Sequence, residues 1–508
     1  MTVAPPQPAP NPPADTKPRL GLIMASLILA LVPLQLDSLV AATAAPTIAG
    51  DLGGFGRIAW IATAYLLMMA IGTVTAGRIG DMFGRKSVLI TALLIFLVGS
   101  AAAGLAGSMT MLIIARAVQG LGGGMVFTTL MAVIADVAPP DQRSRYQGFL
   151  GAVAPVSMII GPWIGGVVTD HLGWRWIFLL NLPLIAVSVI GATVLLKLPA
   201  RRSGGTIDVA GLITLAIAST GIVLAMTWGG HQYAWDSPQV ITVGTVGVIA
   251  LAALAIIERR AEHPVLPPHL FGNRAVLVSM VIMFLGTGAI MMGAMNYLPV
   301  FLQLVQGHSA SNSGLLLLPM LLPAIAVAML TGQLTTKPGR FRPALIIGTS
   351  ALAIGCGLLA TMDVGTPGWL TSVYMIMVGC GIGLLFQTPL VLIQNAAPRQ
   401  EVGAATGSAM FLRTIGGAIG VGALGALFTS RLTGYLLDHG AASTPTDVSA
   451  MTPDQVHELP AGAQHLIAQA TAAGSSTMFW VACAAAAVAV IAALLAPRQV
   501  SKHQDQLS

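Results

Sequence analysis

The chain has 508 residues, of which 55% are hydrophobic and 8% charged, with a mean hydropathy of +0.83. An ordinary soluble domain is roughly 25% charged, because water-facing surface needs charge and lipid-facing surface needs none. This excludes a soluble protein and leaves one that crosses a membrane many times. A net charge of +6, from 24 Lys+Arg and 18 Asp+Glu, suggests a nucleic-acid partner only until the cations are placed; they mark topology instead. Cys356, Cys380 and Cys483 all fall within apolar runs without C-x-x-C spacing. They read as small apolar packing residues, with neither a disulfide framework nor a metal site.

Residues 1–19 are Pro-rich and polar, the composition of a disordered tail. The run from Leu20 is too long for a signal-peptide core, and many like it follow, so it is expected to be a first span. About 20 apolar residues cross ~30 Å of hydrocarbon at ~1.5 Å per residue. Such runs recur near 20–49, 58–77, 88–107, 109–135, 147–169, 176–196, 207–228, 238–257, 275–302, 313–335, 343–361, 369–396, 403–430 and 477–497. Fourteen spans are predicted, and an even number puts both tails on one side. On that side fall 19 of the 24 Lys and Arg; only Arg57, Arg175 and Arg431 lie opposite, while Arg116 and Arg413 fall inside spans. Lys and Arg favour cytoplasmic loops, so both termini are expected in the cytoplasm, with the chain in the plasma membrane and no nucleic acid needed to explain its charge.

The loop after the second span carries Gly77, Asp81, Gly84, Arg85 and Lys86; the loop after the tenth carries Gly332, Thr336, Gly339 and Arg340 at matching spacing. That is an internal repeat if the spans near 207–228 and 238–257 are an insertion. The expected organisation is a tail to residue 19, a six-helix bundle over 20–200, two inserted helices over 201–262, a second bundle over 263–497 with an outer loop at 431–475, and a tail over 498–508. Repeated halves are a known transporter design, with the binding site at the midplane between them.

Several ordered patterns then become specific. They are Leu36-Asp37 with Pro46 and Ile48 in the first span, Gly77 to Lys86 with Met82 in place of the usual basic residue, and Arg116 with Gln119-Gly120 in the fourth span. Gly161-Pro162 with Gly165-Gly166 in the fifth, Trp174 to Asn181 and Pro183, and Phe411 to Gly417 complete the set. In this order the chain resembles the major facilitator superfamily, and within it the fourteen-span drug/proton antiporters. The resemblance implies an all-α membrane fold of two six-helix bundles plus two inserted helices, multidrug efflux, and a role in antibiotic resistance.

Asp37 is the one acidic residue placed within the membrane. An ionised carboxylate at depth costs about 2.5–3.5 kcal/mol on the gentler insertion scale, so it calls for a partner or a function. It is expected to carry the proton, in a role that the resemblance also assigns; the alternative is a fixed ion pair. Arg116 lies close enough in depth for its long side chain to reach Asp37, and Gln119 shares its helix face. Gln119 is either a cavity residue or a helix-helix hydrogen bond. Arg413, with no acid in its own helix, is either a substrate or carboxylate contact or a packing anchor. Gly161, Pro162, Gly165 and Gly166 form a hinge or a leak-tight seam, roles that the resemblance favours, or else ordinary close packing. Gly77, Asp81, Gly84, Arg85 and Lys86 form either a conformational latch or simple charge anchoring, which leaves Asp81 unexplained. The resemblance places Trp60, Tyr65, Asn296, Tyr297, Gln303, Phe386, Gln387 and Phe411 around a central cavity with Gln119 and Arg413. Aromatic faces attract cations and flat rings, and methionine offers deformable surface.

No G-x-x-x-x-G-K-[ST] loop occurs, so the chain does not hydrolyse ATP through such a site. A 100 mV potential supplies about 2.3 kcal/mol per charge and one pH unit about 1.4 kcal/mol, enough together for roughly a 500-fold gradient of a neutral solute. The expected function is proton-driven export of amphiphilic, cationic or neutral, drug-like compounds by alternating access, as a monomer in the bilayer and without a cofactor. A dedicated exporter of an endogenous lipid or secondary metabolite is the alternative. A membrane enzyme is disfavoured because no His/Asp/Glu cluster lies within the spans, and a sensor because no soluble output domain is evident.

Overall fold

The computed structural model describes residues 16–52, 58–138, 142–196, 208–229, 233–262, 264–307, 317–334, 341–398, 400–439, 456 and 459–497. Their long helices are α1 (Thr16–Leu52), α2 (Ile58–Phe83), α3 (Arg85–Gly104), α4 (Met109–Val137), α5 (Arg143–Leu172), α6 (Arg175–Leu195), α7 (Val209–Trp228), α8 (Pro238–Arg260), α9 (Arg274–Leu304), α10 (Leu318–Leu334), α11 (Phe341–Ala360), α12 (Gly368–Ala396), α13 (Val402–Asp438) and α14 (Ala461–Leu494). Eleven of the described helices are long and apolar enough to cross a membrane, and two shorter apolar stretches lie at Gly21–Asp37 and Leu318–Thr331. This is a multi-pass membrane protein. Helices suit it because each satisfies its own backbone where no water is available.

Helix starts follow local chemistry. Ser108 accepts a hydrogen bond from the Met111 amide at 3.2 Å and Asp208 from the Gly211 amide at 2.7 Å; both are side-chain caps on otherwise unpaired donors. Gly84, at φ +90°, makes the abrupt turn from α2 to α3, a backbone region that disfavours any side chain.

The packing repeats itself. Helix α1 lies against α5 and α6, α2 against α4, and α3 against α4 and α6; likewise α9 lies against α13 and α14, α10 against α12, and α11 against α12 and α14. The two sets meet along α2 with α13 and α5 with α10. Helices α7 and α8 pair through facing Gly221 and Gly247, and α7 rests on α2 and α13, where Trp228 meets Trp60 edge-on with centroids 6.0 Å apart. Within α9, Met283–Ile290 widens into a π-helix that packs against Gly416 and Gly420 of α13.

One expectation changes and another gains detail. The outer loop expected over 431–475 is largely helical at its ends, with α13 continuing to Asp438 and α14 starting at Ala461. Its polar residues hide an apolar face: Leu432, Leu436 and Ile467 cluster with Phe428 and Val456. The N-terminal tail expected to residue 19 is already helical from Thr16, whereas 1–15 and 498–508 lie outside the described residues. On the face opposite the basic loops, Asp51 near the end of α1 accepts from the Trp174 indole and from Arg175, both at 2.9 Å, which fastens α1 to the turn before α6.

Candidate functional site

Asp37 and Arg116 form an ion pair in the interior of the first helix set, with Asp37 2% and Arg116 1% exposed. The Asp37 carboxylate is fully engaged. One oxygen takes Arg116 Nη1; the other accepts from Gln119 Nε2 at 2.8 Å and Asn181 Nδ2 at 3.0 Å. Both amides also donate to Ser100 Oγ at 3.1 Å, and Ser100 donates to the Phe178 carbonyl at 2.8 Å. Arg116 Nη1 also donates to Gln119 Oε1 at 2.8 Å and Nε to the Ile61 carbonyl at 3.2 Å, while the guanidinium lies over the Tyr65 ring, 4.2 Å from its centroid. Helices α1, α2, α3, α4 and α6 all contribute. A buried pair is tolerable when remaining hydrogen-bond capacity is met in this way. Ser100 and Asn181 are the members that sequence reasoning missed. Asn181 stood in a recognised motif, but nothing in the string pointed its amide at Asp37.

A cavity of about 260 Å³ lies between the two helix sets. Its lining comes from α1, α2, α4 and α5 on one side and from their repeat counterparts α9, α10, α12 and α13 on the other. Met69, Met291, Met292, Met295 and Met320 supply much of it, with Tyr65, Phe127 and Phe386. Gln35 and Arg413 are polar exceptions, and the Arg413 guanidinium lies over the Phe386 ring at 4.2 Å. Tyr65 connects cavity and ion pair, lining the first and stacking on the second.

Of the residues expected around this cavity, Tyr65, Phe386 and Arg413 line it. Gln119 belongs to the Asp37 network instead. Gln387 is buried beside the cavity against Gly151, its Oε1 without a partner among the described residues. Trp60 and Phe411 pack into the cluster beneath α7. Tyr297 rests on Phe428 and donates to the Val421 carbonyl at 3.2 Å. Asn296 is exposed, donating to its own helix at Met292, and Gln303 is half-buried away from the lining. Helices apolar on every side carry no periodic mark of which face looks inward.

At the basic face the helix sets are tied together. Asp81 accepts from the Gly403 and Ala404 amides, at 3.1 and 2.9 Å, at the N-terminus of α13, where free amides and the helix dipole favour a carboxylate. Arg85 binds Asp81 at 3.1 Å and Asp136 at 2.9 Å. Gly77 faces Gly403 so closely that a Cβ on either would meet the other's carbonyl. Gln147 Nε2 donates to Gln394 Oε1 at 2.7 Å, and Gln394 Nε2 to Thr406 Oγ1 at 3.2 Å. Gly77, Asp81 and Arg85 therefore gather at this seam and Gly84 makes the turn beside them, whereas Lys86 turns away to the Thr193 carbonyl at 2.6 Å and ties α3 to α6. Helix α5 runs unbroken through Gly161, Pro162, Gly165 and Gly166, with Gly161 and Gly165 buried; the surroundings of Pro162 and Gly166 lie outside the description.

Asp37 is not alone among buried acids of the apolar helices. Glu258, in the last turn of α8, is 4% exposed and accepts from the Leu266 amide at 3.1 Å. Its neighbours Arg259 and Arg260 made the segment look like a solvated end; the returning chain covers it.

Two interlocked helix sets around a shared central cavity define a membrane carrier. Residues 27–421 match the model of the Major Facilitator Superfamily, and the chain belongs to that superfamily, whose members carry small molecules across membranes and are not enzymes. Among curated relatives it is 37% identical to multidrug transporter protein MdtP of Bacillus subtilis (strain 168) over 420 residues, 82% of this chain and 77% of that one. It is 34% identical to multidrug resistance protein 3 of the same organism over 418 residues, 82% of this chain and 81% of the relative. The proton:xylose symporter XylE shares the fold, at a TM-score of 0.61 and 15% identity, with 94% of this chain and 95% of that one covered.

Proposed function

We propose that the chain is a fourteen-span, proton-driven efflux transporter of amphiphilic small molecules, working as a monomer in the plasma membrane with both termini in the cytoplasm. The observation that carries the reading is the Asp37–Arg116 pair, buried one residue from a central cavity through Tyr65. Helix α5, which joins α1 to α10 across the cavity, supplies the span needed for that count beside the eleven long apolar helices and the two shorter ones. The multidrug names of the bacterial relatives point the same way.

In this reading the bundles 20–200 and 263–497 rock about the cavity while 201–262 rides on the α2/α13 seam. The basic-face ties hold the cytoplasmic side shut and leave the cavity to the outside. A proton arriving there neutralises Asp37, frees Arg116 from its counter-charge and weakens the network that fixes α1 to α4 and α6. The seam then opens inward, where Asp37 loses the proton and substrate enters. Gly161, Pro162, Gly165 and Gly166 act as the hinge of α5, the helix that lies against α1 in its own bundle and against α10 of the other.

Asp37→Asn keeps the shape and removes the titrating group. In proteoliposomes with an imposed pH gradient, the variant is expected to lose uphill export by at least about 100-fold, on the scale of a lost charge-charge interaction, while equilibrating substrate down its gradient. Undiminished uphill export by a folded Asp37→Asn protein would refute proton carriage by this residue.

A further inference from the structure

Arg116 and Arg413 are both arginines of apolar helices, but their surroundings differ in one respect. Arg116 has Asp37. Arg413 has no hydrogen-bond or ion-pair partner among the described residues; its contact is the face of Phe386. It is the one charged side chain among those lining the cavity, and no carboxylate stands with it there. A guanidinium held in such apolar surroundings needs an anion or water to satisfy its five donors, and the described residues supply no anion.

We infer that the cavity takes an anionic amphiphile, with a carboxylate or sulfonate on Arg413 and an apolar or aromatic body among the methionines, Phe127 and Tyr65; this rests on the efflux reading above. The planar fork of Arg matches a carboxylate in two parallel hydrogen bonds, and stacking on Phe386 fixes the plane of that fork. The π-helical Met283–Ile290 packs beside the same turn of α13, with Gly288 against the Arg413 carbonyl, so the backbone bearing the charge is held. The cationic substrates expected from aromatic content alone are disfavoured, since they would meet Arg413 with no carboxylate to offset it. There is also an electrical consequence. Exchanging one exported monovalent anion for one imported proton moves two charges in the same sense, whereas exchanging a monovalent cation for a proton moves none.

The test uses the purified full-length chain and three matched probes: 1-naphthylacetate, its methyl ester and (1-naphthylmethyl)trimethylammonium. Calorimetric binding to the wild-type protein should favour the carboxylate over the ammonium by about tenfold or more, the scale of one charge-assisted contact. Arg413→Gln should erase that preference, and Arg413→Lys should keep part of it. An ammonium bound as tightly as the carboxylate by the wild type, or a preference unchanged in Arg413→Gln, overturns the inference. If Arg413→Gln fails to fold, judged by elution and melting, the wild-type ratio and Arg413→Lys decide alone. Transport separates the two readings: if none of the probes is driven uphill in proteoliposomes, efflux of such compounds fails; if they are driven but their ranking ignores Arg413, only the anion assignment fails. Export of the carboxylate should slow when the membrane potential is collapsed at constant pH gradient, and export of the ammonium should not.

Discussion

The two halves of the molecule each hold one arginine at membrane depth, and they treat it in opposite ways. In the first half Arg116 is enclosed by a carboxylate, an amide, a backbone carbonyl and an aromatic face, with Asp37 itself bound by Gln119 and Asn181. In the second half Arg413 has an aromatic face and an open cavity. A charge whose partner is built in is neutral toward ligands, and its state changes only when the partner takes a proton. A charge left without a partner acts on whatever enters. In the proposed reading the first arrangement serves as the proton switch and the second as the recognition site, a division of labour set by where the counter-ion stands.

Replacing each arginine by methionine, an unbranched uncharged side chain, breaks this comparison most directly. Arg116→Met leaves Asp37 buried without its counter-charge, and removing one member of a buried pair costs about 3–5 kcal/mol. The melting temperature should fall sharply, and Asp37→Asn added to Arg116→Met should recover most of the loss. Arg413→Met removes a charge that no group among the described residues compensates, so the melt should be unchanged or slightly raised. Equal destabilisation by the two substitutions would mean that Arg413 has a partner after all, and the contrast would fail.

The seam at the basic face offers a smaller lever on the same switch. Gly77→Val would drive a side chain into the Gly403 carbonyl, and overpacking of this kind costs about 1–3 kcal/mol. Because the collision exists only while α2 and α13 are closed together, the cost falls on that state and shifts the population toward opening, by roughly tenfold per 1.4 kcal/mol. A cysteine placed at Thr406, buried in the closed seam, should then react with a membrane-impermeant maleimide about tenfold faster from the basic side. Unchanged reactivity with an unchanged melt would show that the seam tolerates the side chain without opening.

What the sequence made legible, and what it did not, follows the same electrostatics. Asp37 and Arg116 stand out because a charge inside an apolar run is expensive and therefore conspicuous. Gln119 stands out by its spacing from Arg116. Ser100 and Asn181 do not, since uncharged polar residues are common in spans and usually bond within their own helix, as Ser188 and Thr349 do here. The repeat was visible as a glycine and arginine pattern because turns and close approaches demand those residue types. The cavity lining was not, because Trp60, Phe411 and Tyr297 are as apolar as Phe386, and only packing decides which of them face inward. Glu258 escaped for a third reason: its burial depends on the chain returning over it at Val265 and Leu266, a tertiary event that no local pattern records.

A third arginine supplies the exposed limit. Arg175 pairs with Asp51 at 2.9 Å with 43% and 49% of their side chains exposed, and it stacks on Trp174 at 4.4 Å. The indole hydrogen bond and then the Arg175 contact hold the Asp51 carboxyl below its ordinary value of 3.8. A depressed folded-state value stabilises the protein above the ordinary one and loses that effect as pH falls through the lower value. The melting difference between wild type and Asp51→Asn should therefore be small and constant from neutrality to about pH 5, then shrink below about pH 4. It should also fall in high salt, which screens an exposed pair far more than a buried one. A difference that ignored both acid and salt would mean that Asp51 acts by shape and not by charge. A loss as large as that of Arg116→Met would remove the distinction between exposed and buried pairs on which the comparison rests.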